Sequence, residues 1–124
     1  MTDTRPHSAT SLLPLKATWF HVLVSLADGE RHGYGIMQEV LQRTEGDVRL
    51  WPATLYGSLR QLLEEGLIAE CHNADRAATD DSRRRYYRLS PFGRRVLAAE
   101  IARLDGLLKA ARAKGLTPAA ELNR

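Results

Sequence analysis

The sequence predicts a mainly α-helical protein with a small β-hairpin, and three observations support that fold class. Before residue 67 one segment is densely apolar and two place apolar residues at helical spacing, and two short segments after it have strand-type composition. A last segment repeats leucine or isoleucine every three or four residues. With 124 residues, 44% of them apolar, the chain can bury one modest core. We therefore expect one small domain followed by a long helix.

The first predicted helix includes the segment LKATWFHVLVSLA, with Pro14 in its first turn, where a missing N–H does no harm. Residues 1–12 are polar and lack the pattern of a secretory signal, so they are predicted to be a disordered tail. The run from Leu15 to Ala27 is interrupted by polar residues and is too short to cross a bilayer. With a single cysteine as well, these features favour a cytoplasmic location and no membrane partner.

The second and third helices follow the same periodicity. GYGIMQEVLQRT places Ile36, Val40 and Leu41 on one side of the second helix. The third helix begins at Pro52, and glycine at position 66 ends it. Its apolar face comprises Leu55, Leu59, Leu62 and Leu63. Three helices are thus expected before any strand.

The periodicity then changes to that of strands. LIAEC and RRYYRLS are predicted to pair as a hairpin, and their connection, HNADRAATDDSRR, is long enough to project from the body. Ser90 is a helix cap and Pro91 a first-turn residue, so a final helix is predicted over 91–114, with a tail over 115–124. Its apolar stripe requires a partner and predicts dimerisation through Leu97, Ile101, Leu104 and Leu108.

Three helices, a hairpin and a projecting loop are the order of a winged helix-turn-helix, predicted here over 13–90. In that fold the third helix enters the major groove of double-stranded DNA and the loop, or wing, follows the phosphates. The first half of the third helix carries no acid, whereas Glu64 and Glu65 lie at its far end. This distribution favours phosphate at the positive end of the helix dipole. Gly57 is a costly residue inside a helix, which indicates a close approach of the backbone to something.

The predicted DNA-contacting residues form two groups. Those of the third helix offer hydroxyl, guanidinium, amide and backbone groups to the groove and its rim: Ala53, Thr54, Tyr56, Gly57, Ser58, Arg60 and Gln61. Those of the wing are predicted to contact phosphates: Arg83, Arg84 and Arg85. For Tyr56, packing in the core is an equal alternative to contact with DNA. Tyr34 and Trp51 are interpreted as packing residues.

Several of these motifs resemble the PadR family of bacterial transcriptional regulators. The segments HGYGIMQEV, PATLYGSLRQLLEEGLI and RRRYYRLSPFGRRVL carry the resemblance, which extends from Leu13 to Ala113. It implies a homodimeric DNA-binding regulator, usually a repressor, in which the last helix mediates dimerisation. A single short final helix is similar to the compact branch of the family. Some compact members bind flat aromatic drugs between tryptophans of that helix, but here Phe92 is its aromatic residue. The nature of any small-molecule effector therefore stays open.

Other classes of function are weighed against the same residues. Ser58 lacks the G-x-S-x-G frame of a nucleophile, and no carboxylate pair accompanies a histidine, so an enzyme is not expected. The histidines show no ligand spacing, and the adjacent Cys71 and His72 would point to opposite faces of a strand, so neither a metal nor another cofactor is expected. A winged-helix module that binds only protein remains the alternative.

Overall fold

A computed structural model of the chain describes residues 8–71 and 85–116. It has four helices and three short strands in those ranges, and it confirms the predicted fold class, a mostly helical domain with a small sheet and a long last helix. The elements are α1 (Ala17–Ser25), β1 (Arg31–His32), α2 (Gly33–Arg43), α3 (Pro52–Glu64), β2 (Ile68–Cys71), β3 (Tyr86–Leu89) and α4 (Pro91–Ala113). None of these helices combines the length and the apolar character needed to span a membrane.

The core lies where α1, α2 and α3 meet the first half of α4. The predicted apolar faces of α2 and α3 supply fully buried side chains, whereas Leu41 and Leu63 lie at the edges of those faces and are partly exposed. The most deeply buried apolar residues of the four helices are Val22, Leu23, Ile36, Val40, Leu55, Leu59, Leu62 and Val96. Each helix therefore buries one face in the core.

The sheet has the antiparallel order β1-β3-β2, so β3 is central. The predicted hairpin is present, with Ile68 opposite Leu89 and Cys71 opposite Tyr86. However, the expectation of three helices before any strand is wrong, because β1 precedes α2 and its Arg31 pairs with Tyr87. A strand of two residues has no periodicity of its own and exists only through its pairing with β3.

The first helix begins later than the sequence predicted. Lys16 is its N-cap and Ala17 its first residue, so Pro14 lies before the helix and not in its first turn. The preceding residues, 8–12, form turns instead of the predicted tail, because Ala9 and Leu12 pack partly against the core. Residues 1–7 lie outside the described part of the chain.

The turn between β3 and α4 explains the serine and glycine that open the last helix. Ser90 Oγ accepts a hydrogen bond from Gly93 N at 2.9 Å and donates one to the carbonyl oxygen of Gly66 at 2.6 Å. A Cβ on Gly93 would overlap the carbonyl group of Leu67. Only glycine therefore allows the first turn of α4 to lie this close to the start of β2.

A buried carboxylate joins α4 to the segment before α1. Glu100 is 2% exposed, and its Oε2 accepts a hydrogen bond from the backbone N–H of Leu15 at 3.2 Å. Arg103 donates to both carboxylate oxygens, from Nε at 2.6 Å and from Nη2 at 2.9 Å. The hydrogen bond from Arg103 is the main cause that lowers the pKa of Glu100, against the opposing effect of burial. The ionised form is therefore favoured in the folded protein.

This arrangement predicts a pH-dependent contribution to stability. Because the folded state lowers the pKa of Glu100 below its ordinary value of 4.5, the contribution is complete above that pH and is lost as the pH falls through the folded-state pKa. The stability advantage of the parent over Glu100→Gln should therefore shrink on acidification below about pH 4.5. Urea unfolding at one protein concentration and several pH values measures it. Asp105→Asn, which removes an exposed carboxylate from the same helix, should change stability by less than about 1 kcal/mol. An advantage of the parent that stays constant on acidification would contradict this account.

Candidate nucleic-acid interface

The start of α3 is open to solvent and to a ligand. Trp51 is the N-cap, its side chain makes no capping hydrogen bond, and Pro52 occupies the first turn. Leu55 N donates the first helical hydrogen bond, to the carbonyl oxygen of Trp51 at 2.8 Å. The N–H groups of Ala53 and Thr54 precede that bond, and both residues are exposed. They can therefore donate to an anion, which the helix dipole also favours.

The outer face of α3 carries most of the predicted contact residues. Ala53, Thr54, Tyr56, Arg60 and Gln61 are exposed, and Gly57 is partly exposed. Gln61 Oε1 also accepts a hydrogen bond from Trp19 Nε1 at 3.3 Å, which anchors its side chain to α1.

Ser58 differs from the other predicted residues of this helix. It is 7% exposed, because it follows Leu55 by three residues and precedes Leu62 by four, a spacing that puts it on the apolar face. The structure therefore removes Ser58 from the side chains that are accessible to a ligand.

Tyr56 packs against α2 and also reaches solvent. A Cβ on Gly33 would overlap the Tyr56 hydroxyl group, so glycine at the first position of α2 makes this contact possible. Even so, the residue remains 48% exposed. Tyr56 thus joins the starts of α2 and α3 and presents part of its ring at the surface.

Two further aromatic residues lie exposed on the same two helix starts. Tyr34, in the first turn of α2, is 55% exposed, and Trp51 is 64% exposed. Tyr34 also stacks on His32, with 6.5 Å between the ring centres, so it packs in part, as interpreted from the sequence, and is exposed in part. Trp51 is the N-cap of α3 and Tyr34 lies in the first turn of α2, so both residues are at helix starts. With Tyr56, they form an aromatic surface defined by residues 34, 51 and 56.

A cavity of about 250 Å³ lies beside this aromatic surface, between α2 and the start of α3. Tyr34, Met37 and Leu41 line it from α2, and Trp51 and Arg49 line it from the connection to α3. The guanidinium carbon of Arg49 lies 5.4 Å from the centre of the Trp51 ring, a cation–π distance. Among the described residues that line the cavity, none is acidic. This surface therefore suits an anionic or neutral ligand.

The wing is described only where it rejoins the sheet. Arg85 is exposed, and its Nη1 donates to Glu70 Oε2 on β2 at 3.2 Å. A surface ion pair of this kind contributes little to stability. Because such a pair is weak, a phosphate can displace it. Arg83 and Arg84 lie outside the described residues.

The last helix exposes aliphatic side chains in its second half. Ile101, Leu107 and Leu108 are each at least 50% exposed, and Leu104 is partly exposed. Leu97, predicted to belong to the dimerisation stripe, instead packs in the core of its own domain and is 5% exposed. Leu104 and Leu108 follow Leu97 on one face, so α4 carries a continuous apolar face of which its own domain covers the first half.

Comparison with known proteins gives consistent results. The model of the transcriptional regulator PadR-like family matches residues 22–99. A transcriptional regulator of Mycobacterium tuberculosis is 32% identical over 93 residues, which are 75% of this chain and 80% of that protein. A PadR family regulator of Clostridium difficile has the same fold with a TM-score of 0.67, at 20% identity over 79% of this chain and 97% of its own. PadR of Bacillus subtilis, solved in complex with operator DNA, has a TM-score of 0.61 at 19% identity, over 83% and 62% of the two chains.

Gly57 provides a test in which stability and binding change in opposite directions. A Cβ at this position meets nothing within 4 Å, so Gly57→Ala should stabilise the free protein by about 1 kcal/mol through helix propensity. If α3 lies close to DNA at this point, the same methyl group should weaken binding. Gly106→Ala in α4, where a Cβ also meets nothing within 4 Å, is the matched control. It should give the stability gain without the loss in binding. Thermal unfolding and fluorescence anisotropy measure the two effects, and unchanged binding by Gly57→Ala would exclude a close approach there.

Proposed function

This chain belongs to the PadR-like family of transcriptional regulators, and from that premise we propose that it binds a pseudo-palindromic operator as a homodimer and represses transcription. The observation that carries the proposal is the start of α3. Its first turn is exposed, contains no acidic residue and leaves backbone N–H groups available beside the hydroxyl group of Thr54. These are groups with which a helix binds phosphates and base edges of duplex DNA.

The aromatic surface and the wing extend this contact on either side of α3. Tyrosine hydroxyl groups and arginines are common donors to phosphate oxygens, and such contacts fix the register of a protein on DNA without reading its sequence. Within the proposed interface, Thr54, Arg60 and Gln61 are assigned to the groove and its rim. Arg83, Arg84 and Arg85 are assigned to phosphates. The operator complex of Bacillus subtilis PadR, a protein of the same fold, supports this mode of binding.

Dimerisation is proposed through the exposed half of the apolar face of α4. Ile101, Leu107 and Leu108 expose aliphatic surface on a helix that extends past the core of its domain, and a second copy of the same helix can cover that surface. Two recognition helices related by a twofold axis would then read half-sites about one helical turn apart. Repression and a cytoplasmic location are proposed from the family pattern, and a reporter gene under the chain's own promoter tests the former.

A change in charge at the proposed dimer face should separate the protomers. Leu108→Asp places a carboxylate in the apolar contact, whereas Ala102→Asp places the same group at least about 100° around α4 from Ile101, Leu107 and Leu108. Both positions are exposed in the protomer, so both variants should fold. Light scattering should give monomers for Leu108→Asp and dimers for Ala102→Asp. If Leu108→Asp stays dimeric, another surface holds the dimer.

Alanine substitutions in the two groups of proposed DNA-binding residues should weaken DNA binding in different ways. Removal of one phosphate-binding side chain lowers the slope of log K against log salt by about 0.9, so alanine at Arg83, Arg84 and Arg85 in both protomers should flatten the slope by about 5. Affinity should fall for specific and random duplexes alike. Thr54→Ala removes no charge, so the slope should hold while the preference for the operator falls by about 1 to 3 kcal/mol for each base that the hydroxyl group reads.

Fluorescence anisotropy with both duplexes across a salt series provides the measurement. Ser58→Ala is the matched control for Thr54→Ala, because it removes a buried hydroxyl group from the same helix and should leave the operator preference intact. A wing variant that retains the parent slope would show that these arginines do not contact phosphate. A parent protein that shifts neither duplex at low salt would favour the alternative function, a module that binds only protein.

A further inference from the structure

The last helix leaves its domain at Glu100. The buried residues of α4 are Gly93, Val96, Leu97 and Glu100, and from Ile101 onward no described residue of the helix is buried. Glu100 is therefore the last residue of α4 that is buried in its own domain, and the half of the helix that carries the proposed dimer face follows it. A charged residue occupies this point on a face that is otherwise apolar.

The bonds of Glu100 connect the helix to a main-chain group of the domain. Its carboxylate accepts from the Leu15 N–H, which belongs to the segment before α1. Leu15 is itself buried in the core, so this donor is held in place by packing. Arg103, one turn further along α4, donates to both oxygens and holds the carboxylate from the other side. This clamp thus ties α4 to the body of the domain through the Leu15 N–H, while Arg103, on the same helix, fixes the orientation of the carboxylate that accepts this bond.

An ionised side chain is an energetically unfavourable choice for a buried position. Burial of an ion costs free energy that its partners only partly return, and an apolar residue of similar volume is often equally or more stabilising. The carboxylate makes the contact between α4 and the domain directional, because a hydrogen bond weakens steeply when its angle departs from the favoured range. Apolar contacts alone constrain the angle between two elements less strictly. The clamp therefore limits the tilt and rotation of α4 at its exit from the domain.

We infer that Glu100 is a positioning residue that sets the exit angle of α4 and, through it, the half-site spacing that the dimer recognises. The inference rests on the proposed homodimer. From Glu100 to the end of α4 the helix extends about 20 Å, so a change of about 10° in the exit angle moves its end by about 3 Å. This equals about one base-pair step of DNA. A small loss of angular control at Glu100 thus changes the separation of the two recognition helices by a measurable amount.

The test uses operators that differ only in the distance between half-sites. A parent operator selected from random duplexes is altered by inserting or removing one base pair at its centre. The parent protein should lose about tenfold or more in affinity for each altered operator, because the second half-site moves out of register. Glu100→Met, which removes the clamp and keeps the side chain bulky, should bind the three operators within about threefold of one another or prefer a different spacing. Glu100→Gln, which can still accept from Leu15 N, should restore part of the parent preference.

Asp105→Asn on the same helix is the matched control, because it removes an exposed carboxylate that pairs with Lys109, and it should keep the parent preference. A role in stability alone would lower the affinity of Glu100→Met for all three operators by the same factor, and that result would overturn the inference. Should Glu100→Met fail to fold, Arg103→Gln decides the question in the same assay. It frees the carboxylate to rotate away from the Leu15 N–H, so it should narrow the differences in affinity among the three operators in the same way, and a parent-like spacing preference in Arg103→Gln would overturn the inference.

A second measurement needs no DNA. Cys71 is the single cysteine of the chain, so one spin label per protomer reports the distance between the two domains of a dimer. The distance distribution should broaden or shift in Glu100→Met and stay unchanged in Asp105→Asn. An unchanged distribution in Glu100→Met would contradict the inference. A parent that is monomeric by light scattering would overturn the proposed homodimer as well, whereas a dimeric parent that shares its spacing preference with Glu100→Met overturns this inference alone.

Discussion

The arrangement of α3 depends on one constraint, which is that the helix must bury one face and keep its first turn open. Leu55, Leu59 and Leu62 satisfy the first requirement, because they are almost completely excluded from solvent among α1, α2 and the sheet. Their spacing leaves Thr54, Tyr56 and Arg60 on the other side of the helix. The packing that stabilises the domain therefore also determines which groups α3 presents to a ligand.

The large exposed apolar residues in the described part of the chain form two groups, which differ in chemistry and in position. The aromatic residues Tyr34, Trp51 and Tyr56 lie at the starts of α2 and α3, and aliphatic residues lie on the second half of α4 and just after it. Aromatic rings with polar tips suit a partly hydrated polar partner, whereas aliphatic side chains gain most from exclusion of water by a second apolar surface. This division supports two separate interfaces on one small domain.

The order of the four helices relative to the hairpin, and the bounds of α2 and α3, were predictable from periodicity and from glycine, proline and serine at the ends of elements. The strand β1 was not, because two residues carry no pattern and only β3 defines their conformation. Leu97 and Ser58 show a second limit. Periodicity identifies the faces of a helix, but not how much of an apolar face the chain's own domain covers, nor that a hydroxyl group lies within that face. The exposure of Trp51 likewise depends on how α2 packs beside the start of α3, which periodicity does not give.

The contact between Tyr56 and Gly33 also limits how this surface can change during evolution. The first residue of α2 has no side chain because the tyrosine hydroxyl group occupies that space. A larger residue at position 33 is compatible with this backbone only if position 56 becomes smaller or its ring turns away. The chemistry of the surface at position 56 is therefore inherited together with the opening residue of another helix. Exchange of α3 alone between relatives would transfer its side chains without the space that one of them needs.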